Sequence, residues 1–279
     1  MNVKIIVDST TDLLPEQKAR VQVVPLTVHF GDREYIDGVT IDHKTFYEML
    51  VESDVLPSTS QATPSAFSEA YHRVAQEGDS AVVLTLSQNL SGTYQSAMIA
   101  AEDYADIFVV DSGSAAIGGG ILTELALQLA DSGMDARTIA QTLEEEKKKI
   151  RVIALLDTLE YLKRGGRISK TVAMAGALLN IKPVAAIEDG KIGILGKARG
   201  SKQGNNLLAT EIEKCGGVDF SKPLLLGYTG MSNALLLKYM EDSKHLWQDG
   251  VDSLRYTCIG SVIGTHAGPG AVAVAFFQK

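Results

Sequence analysis

Cysteine is almost missing from this chain: Cys215 and Cys258 are the only two in 279 residues, far apart and outside any C-x-x-C pair. A disulfide framework and a cysteine zinc site are thereby excluded, and both thiols are expected to pack as small buried hydrophobes. The five histidines, His29, His43, His72, His245 and His266, are scattered without metal-ligand spacing. Positive charge is also short, with 26 Lys and Arg against 34 Asp and Glu and a formal net charge of -8. That balance argues against nucleic-acid binding, which needs a basic stripe. No apolar run reaches the ~18 residues of a membrane-spanning helix. Met1-Asn2-Val3-Lys4 leads straight into a strand pattern without a charged-then-apolar leader, so a cytoplasmic protein is expected. Neither a nucleophile elbow G-x-S-x-G nor a phosphate loop G-x-x-x-x-G-K-[ST] occurs.

What is present is core. Hydrophobic residues make up 45% of the chain, ample for a large interior, and single cores stop growing near ~250 residues. Two domains are expected, 1–150 and 151–279, divided near Lys149. In the first, apolar runs at 3–7, 81–86 and 107–111 alternate with helical patterns, which implies a parallel sheet covered on both sides. Residues 21–30 resemble a second strand interrupted by Pro25, an edge feature, with a β-ribbon at Tyr35-Ile36. Residues 42–53 fit a helix, residues 57–62 a hydroxyl-rich loop, and Thr63-Pro64 an N-cap and first position for a helix through Gln76.

The segment 115–130 reads as a helix whose Gly118-Gly119-Gly120 start implies a neighbour packed against its backbone. Residues 138–150 place Glu144 with Lys148 and Glu145 with Lys149 at i, i+4. In the second half, a strand at 151–156, an apolar helix at 171–179, a hairpin over 184–195 turning at Asp189-Gly190, a helix to about Lys214, and strands at 224–228, 253–259 and 271–277 suggest an α+β unit with a mixed sheet.

The chemistry concentrates at a strand-to-helix turn, Ser91-Gly92-Thr93-Tyr94. Ser91 is placed as the N-cap, Gly92 allows a ligand close to the backbone, and the first helical amides point outward with the positive dipole end. That is an anion-binding geometry. Gly264-Thr265-His266-Ala267-Gly268-Pro269-Gly270 reads as a loop that presents His266. Ser91 and His266 also permit a second reading, a serine-dependent acyl hydrolase or thioesterase, which the absent elbow disfavours.

Five segments together resemble the DegV family: Asp8-Ser9-Thr10-Thr11-Asp12-Leu13, Thr59-Ser60-Gln61, Ser91-Gly92-Thr93-Tyr94, Leu159 through Ile168, and Gly264 through Gly270. Their order and spacing match along essentially the whole chain. The resemblance implies a two-domain α/β fold, a three-layer α/β/α domain with a parallel sheet plus an α+β domain, with a long-chain fatty acid bound between them. It further implies a FakB-like role, in which a non-catalytic acyl-binding subunit presents the carboxylate to a separate ATP-binding fatty acid kinase subunit for conversion to acyl-phosphate. The product then goes towards phospholipid synthesis. Thr59, Ser91, Gly92 and His266 would hold the carboxylate; no cofactor is implied. Arg167, Arg199 and Lys202, with Lys163, Arg164 and Lys197, form a candidate rim for the kinase, the acyl-phosphate or a transient contact with an anionic membrane surface. A plain solvated surface would look the same in sequence. The acyl tail is expected along residues 115–120 and 171–179.

Overall fold

The computed structural model describes residues 2–168, 181–247 and 254–279. The chain opens with β1 (Val3–Asp8), α1 (Pro15–Lys18), β2 (Gln22–Val24), β3 (Thr27–Phe30), β4 (Arg33–Ile36), α2 (His43–Glu52) and β5 (Ser58–Ser60). Next come α3 (Pro64–Gln76), β6 (Ser80–Thr85), α4 (Thr93–Ala101), β7 (Ile107–Asp111), α5 (Ile117–Asp131), α6 (Ala136–Glu146), β8 (Ile150–Leu155) and α7 (Glu160–Arg164). The remainder holds β9 (Ile181–Glu188), β10 (Lys191–Arg199), α8 (Gly200–Lys214), β11 (Leu225–Tyr228), α9 (Ala234–Asp242), β12 (Tyr256–Cys258), α10 (Ser261–Ala267) and β13 (Val272–Phe277). The expected apolar helix at 171–179 lies outside the described residues.

Among the described residues three sheets form. The first has the order β2-β1-β6-β7, all parallel. Its strands are apolar on both faces because both are covered: Ile5, Val7, Val82 and Leu84 face α5 and α6, while Ile6, Ala81 and Val83 face α3 and α4. As Pro25 suggested, β2 is an edge strand, and the chain beyond the proline leaves for another sheet. That small sheet has the order β4-β3-β5 and is antiparallel, so the β-ribbon is present. The hydroxyl-rich segment expected as a loop is instead β5, with Thr59 opposite Val28. A third, mixed sheet has the order β10-β9-β8-β13-β11-β12. Its hairpin turns at Asp189 and Gly190, both with positive φ (49° and 73°), the backbone that an Asp-Gly turn supplies.

Helix α5 lies between the parallel and the mixed sheets. Almost every residue from Ile117 to Leu127 is buried, and its core cluster unites Val7 and Leu84 with Val152, Leu225, Ala273 and Phe277. The glycines let it in. A Cβ on Gly118 would lie 2.4 Å from Val152 Cγ2, and one on Gly120 would lie 2.2 Å from the carbonyl oxygen of Asp12.

Two local expectations need correction. The charge run after α6 pairs at i, i+3, through Lys147–Glu144, Lys148–Glu145 and Lys149–Glu146. The α-helix stops at Glu146 and Lys147–Lys149 form a 3-10 turn, whose three-residue repeat brings those positions into line. Cys215 and Cys258 are free and only partly buried.

Candidate functional site

A cavity of about 970 Å³, its open mouth included, lies between the mixed sheet and the loops of the parallel sheet. Its floor follows from strand register. Ala185, Ala154 and Ala273 stand directly opposite one another on β9, β8 and β13, and Val152 and Ile187 form the next row on the same face. Alternate residues of one sheet face therefore present small side chains and leave a trough. Leu26, Leu86, Leu90, Ala115, Leu162, Ile192 and Val262 supply much of the remaining apolar wall. Ala116 belongs to that wall with φ 55°, a backbone rarely adopted by a residue with a side chain, and its carbonyl accepts the Asp12 amide.

Polar groups gather on one side: Thr59, Ser60, Gln61, Ser91, Arg167 and His266. Each is placed by a different element. Thr59 is fixed by its pairing in β5, and its Oγ1 lies 2.9 Å from His266 Nε2. His266 is carried by α10, not by a loop as its glycine neighbours suggested. Those glycines serve packing: a Cβ on Gly264 would lie 2.5 Å from Tyr47 Oη. Gly268, with φ 70°, ends the helix. Gly165 gives the imidazole room, since a Cβ there would lie 2.2 Å from His266 Nδ1.

Ser91 precedes the N-cap position, which Gly92 occupies. The Ser91 hydroxyl still serves the helix start, accepting the Thr93 amide at 3.3 Å and lying 2.9 Å from Thr93 Oγ1. Gly92 itself does not line the cavity; Gln61 crosses above it, and a Cβ on Gly92 would lie 2.1 Å from Gln61 Oε1. Gln61 Nε2 in turn donates to Ser96 Oγ at 2.9 Å.

The electrostatics favour an anion. Arg167 donates to the carbonyls of Leu90 and Gly165, at 3.2 and 2.6 Å, and has no ion pair among the described residues. Burial lowers its pKa. His266 is pushed down to about 4, first by burial and then by the Arg167 charge, so it is neutral at pH 7. The N-terminus of α4 adds its positive end. No Asp or Glu stands among the described lining residues. The site thus offers hydroxyls, a neutral imidazole and one uncompensated guanidinium beside an apolar trough.

Arg199 and Lys202 are not brought to it. Arg199 pairs with Ile181 at the opposite end of the β9–β10 hairpin from the turn, and both side chains are exposed. Nor does any hydrogen bond join Ser91 to His266 among the described residues; each bonds a threonine instead.

The sequence pattern described as "Uncharacterised protein, DegV family" matches residues 2–279. The chain belongs to the DegV family. A DegV domain-containing protein of Caldanaerobacter subterraneus is 34% identical over 284 residues, covering 99% of each chain. Another, from Deinococcus radiodurans, is 34% identical over 282 residues, covering 99% of this chain and 98% of its own. Among solved structures, a DegV family protein of Thermus thermophilus described for its fatty acid binding superposes with TM-score 0.88 at 30% identity, with all of both chains covered. DegV of Bacillus subtilis, described as a fatty acid binding protein, gives TM-score 0.81 at 27% identity, again over the whole of both chains. The DegV fold of a parallel and a mixed sheet is shared with them.

Sequence reasoning missed the part of Arg167 in the cavity wall and the alanine row of the floor. The first depends on the carbonyl of Leu90, 77 residues away in sequence, and the second on the register of three strands. Of the expected tail-lining segment 115–120, Ala115 and Ala116 reach the cavity, while the glycines pack against other elements.

Proposed function

We propose that this chain binds a long-chain fatty acid, its tail in the trough and its carboxylate against Thr59, Ser91, His266 and Arg167. The observation that carries this reading is the uncompensated Arg167 guanidinium at one side of an otherwise apolar cavity. An anion joined to a long apolar body satisfies both features. The fatty acid binding described for the Thermus thermophilus and Bacillus subtilis relatives supports it. A tail of roughly sixteen carbons at ~0.8 kcal/mol per buried methylene gives a gross drive of order ten kcal/mol, against ~1.5–3 kcal/mol for each hydrogen bond to the charged head. The tail sets affinity and the head group sets orientation.

Denaturing extraction of the purified protein followed by mass spectrometry of the released molecules tests the reading. A stoichiometric long-chain fatty acid is expected. A protein that emerges empty and takes up no added fatty acid would overturn it.

The finer role is a non-catalytic carrier that presents the carboxylate to an ATP-binding kinase subunit. Phosphoryl transfer to that oxygen is chiefly a matter of position and charge neutralisation. On this reading the residues up to 150 carry the head-group segments of Thr59 and Ser91, with Arg167 and His266 contributed from the second half. Ser91→Ala and His266→Ala should leave fatty acid uptake largely intact and reduce kinase-dependent acyl-phosphate formation; equal loss of both would remove the division of labour. Arg199 and Lys202, remote from the head group, would meet the kinase, the product or a membrane surface. Charge reversal at both that leaves turnover unchanged would assign them to solvated surface.

A further inference from the structure

A second cavity, of about 640 Å³ with its mouth, lies beyond the far end of α10 from His266. It is lined by Thr11 and Asp12 after β1, Lys18 on α1, Asp37 after β4, His43 opening α2, and Thr257 on β12. Its acids are not disposed like their neighbour Asp8. Asp8 is fully used: Oδ1 accepts the Thr10 amide at 2.9 Å and the Thr10 hydroxyl at 2.5 Å, and Oδ2 accepts the Leu86 amide at 2.7 Å.

Asp12 and Asp37 are 4% and 3% exposed. Asp12 Oδ1 accepts the Gly260 amide at 2.8 Å, but Asp12 Oδ2 and Asp37 Oδ1 are buried with no hydrogen-bond partner among the described residues. Leaving such atoms unpaired costs ~1–3 kcal/mol each, more when charged. Burial raises the pKa of both carboxyls, and Asp37 adds to the rise at Asp12; the hydroxyls of Ser9 and Ser261, neutral donors, offset part of the rise at Asp37. His43 is held neutral by burial and brings no charge. Lys18 is the one cation in the described lining, and its exposed side chain makes no ion pair among the described residues. No group of three His, Cys, Asp or Glu among the described residues is placed to hold a metal ion. Neutral hydroxyls and the Gly260 amide face the two carboxyls at close range, and what Asp12 Oδ2 and Asp37 Oδ1 lack among the described residues is a positively charged donor.

We propose that this second cavity binds a small organic cation of the primary ammonium class, its N–H donors directed at Asp12 Oδ2 and Asp37 Oδ1. An ammonium offers three donors in a compact head, whereas an anion would meet two carboxyls. The site is separate from the fatty acid cavity, and its occupancy does not depend on that assignment.

The test is titration of the full-length protein with methylammonium and with ethanolammonium, following the backbone amides of Gly38 and Gly260 by NMR. Saturable shifts are expected at both. Asp37→Asn should weaken binding by about tenfold or more, the usual worth of one charge-assisted hydrogen bond. Lys18→Met, an exposed change that leaves the fold alone, should tighten it by removing a competing positive charge. Ser91→Ala, in the other cavity, should leave it unchanged. Absence of saturable shifts with either amine, unchanged affinity in Asp37→Asn, or weaker binding in Lys18→Met would each overturn the proposal. Tighter binding of acetate or of magnesium chloride than of the amines would do so as well.

Discussion

Replacing Ala154 by leucine should shorten the longest fatty acid that the protein binds well. Ala154 is the middle of the Ala185–Ala154–Ala273 row, half-buried because its methyl faces the cavity. Leucine adds three carbon atoms to the trough and displaces about three methylenes of ligand. At ~0.8 kcal/mol each the loss is about 2.4 kcal/mol, or about fiftyfold in Kd for a ligand that needs the whole trough. Dissociation constants for saturated acids from ten to eighteen carbons, measured on delipidated protein, provide the assay. The gain per methylene should match the parent for short acids and fail for long ones, while the melting temperature of the delipidated variant holds or rises. Uniform weakening at every length would place the side chain elsewhere, and an unchanged eighteen-carbon affinity would refute the trough.

Other expectations concern charge, protons and backbone. Arg167→Met should weaken hexadecanoate binding by about tenfold and leave hexadecanol unaffected, because only the acid uses the guanidinium; parallel loss of both would show that Arg167 merely supports the wall. His266 titrates near 4 when folded, below its usual 6.5. As pH falls through 6.5 the unfolded chain takes the proton first, so the native state loses stability down to about pH 4, by about 3 kcal/mol in all. Denaturant unfolding across that window should therefore show parent stability falling relative to His266→Gln, and parallel curves would count against the buried neutral imidazole. Gly268→Ala sets a methyl 2.2 Å from the Tyr161 ring at φ 70°, whereas Gly31→Ala at φ 58° meets open space. Both pay the left-handed backbone cost of ~1–2 kcal/mol, so the former should melt several degrees below the latter.

Local chemistry was legible where one short stretch decides the outcome. Thr63 accepts the Ala66 amide as an N-cap, Asp189-Gly190 turns the hairpin, and the glycines of α5 admit a neighbouring backbone. Of the four residues grouped by the resemblance, Thr59, Ser91 and His266 line one cavity and Gly92 does not. What stayed hidden was set by distant partners. β5 is three residues long and gains its extended form only by pairing with β3, so its hydroxyls looked like a loop. α10 contains Gly264 and is followed by Gly268, glycines that usually mark a turn, yet here one clears Tyr47 and the other caps the helix. Arg167 was grouped with surface cations because the Leu90 carbonyl that draws it inward lies on another segment.

The placement of α5 bears on how the chain melts. By sequence it belongs with the first sheet, but Leu225, Ala273, Ala275 and Phe277 of the mixed sheet share its core cluster. A chain cut after Lys149 would leave that helix with an apolar side turned to water, and the other fragment would bare the matching sheet face. The two halves therefore complete one interior between them. Calorimetry should show a single cooperative transition rather than two, however distinct the sheets look in outline.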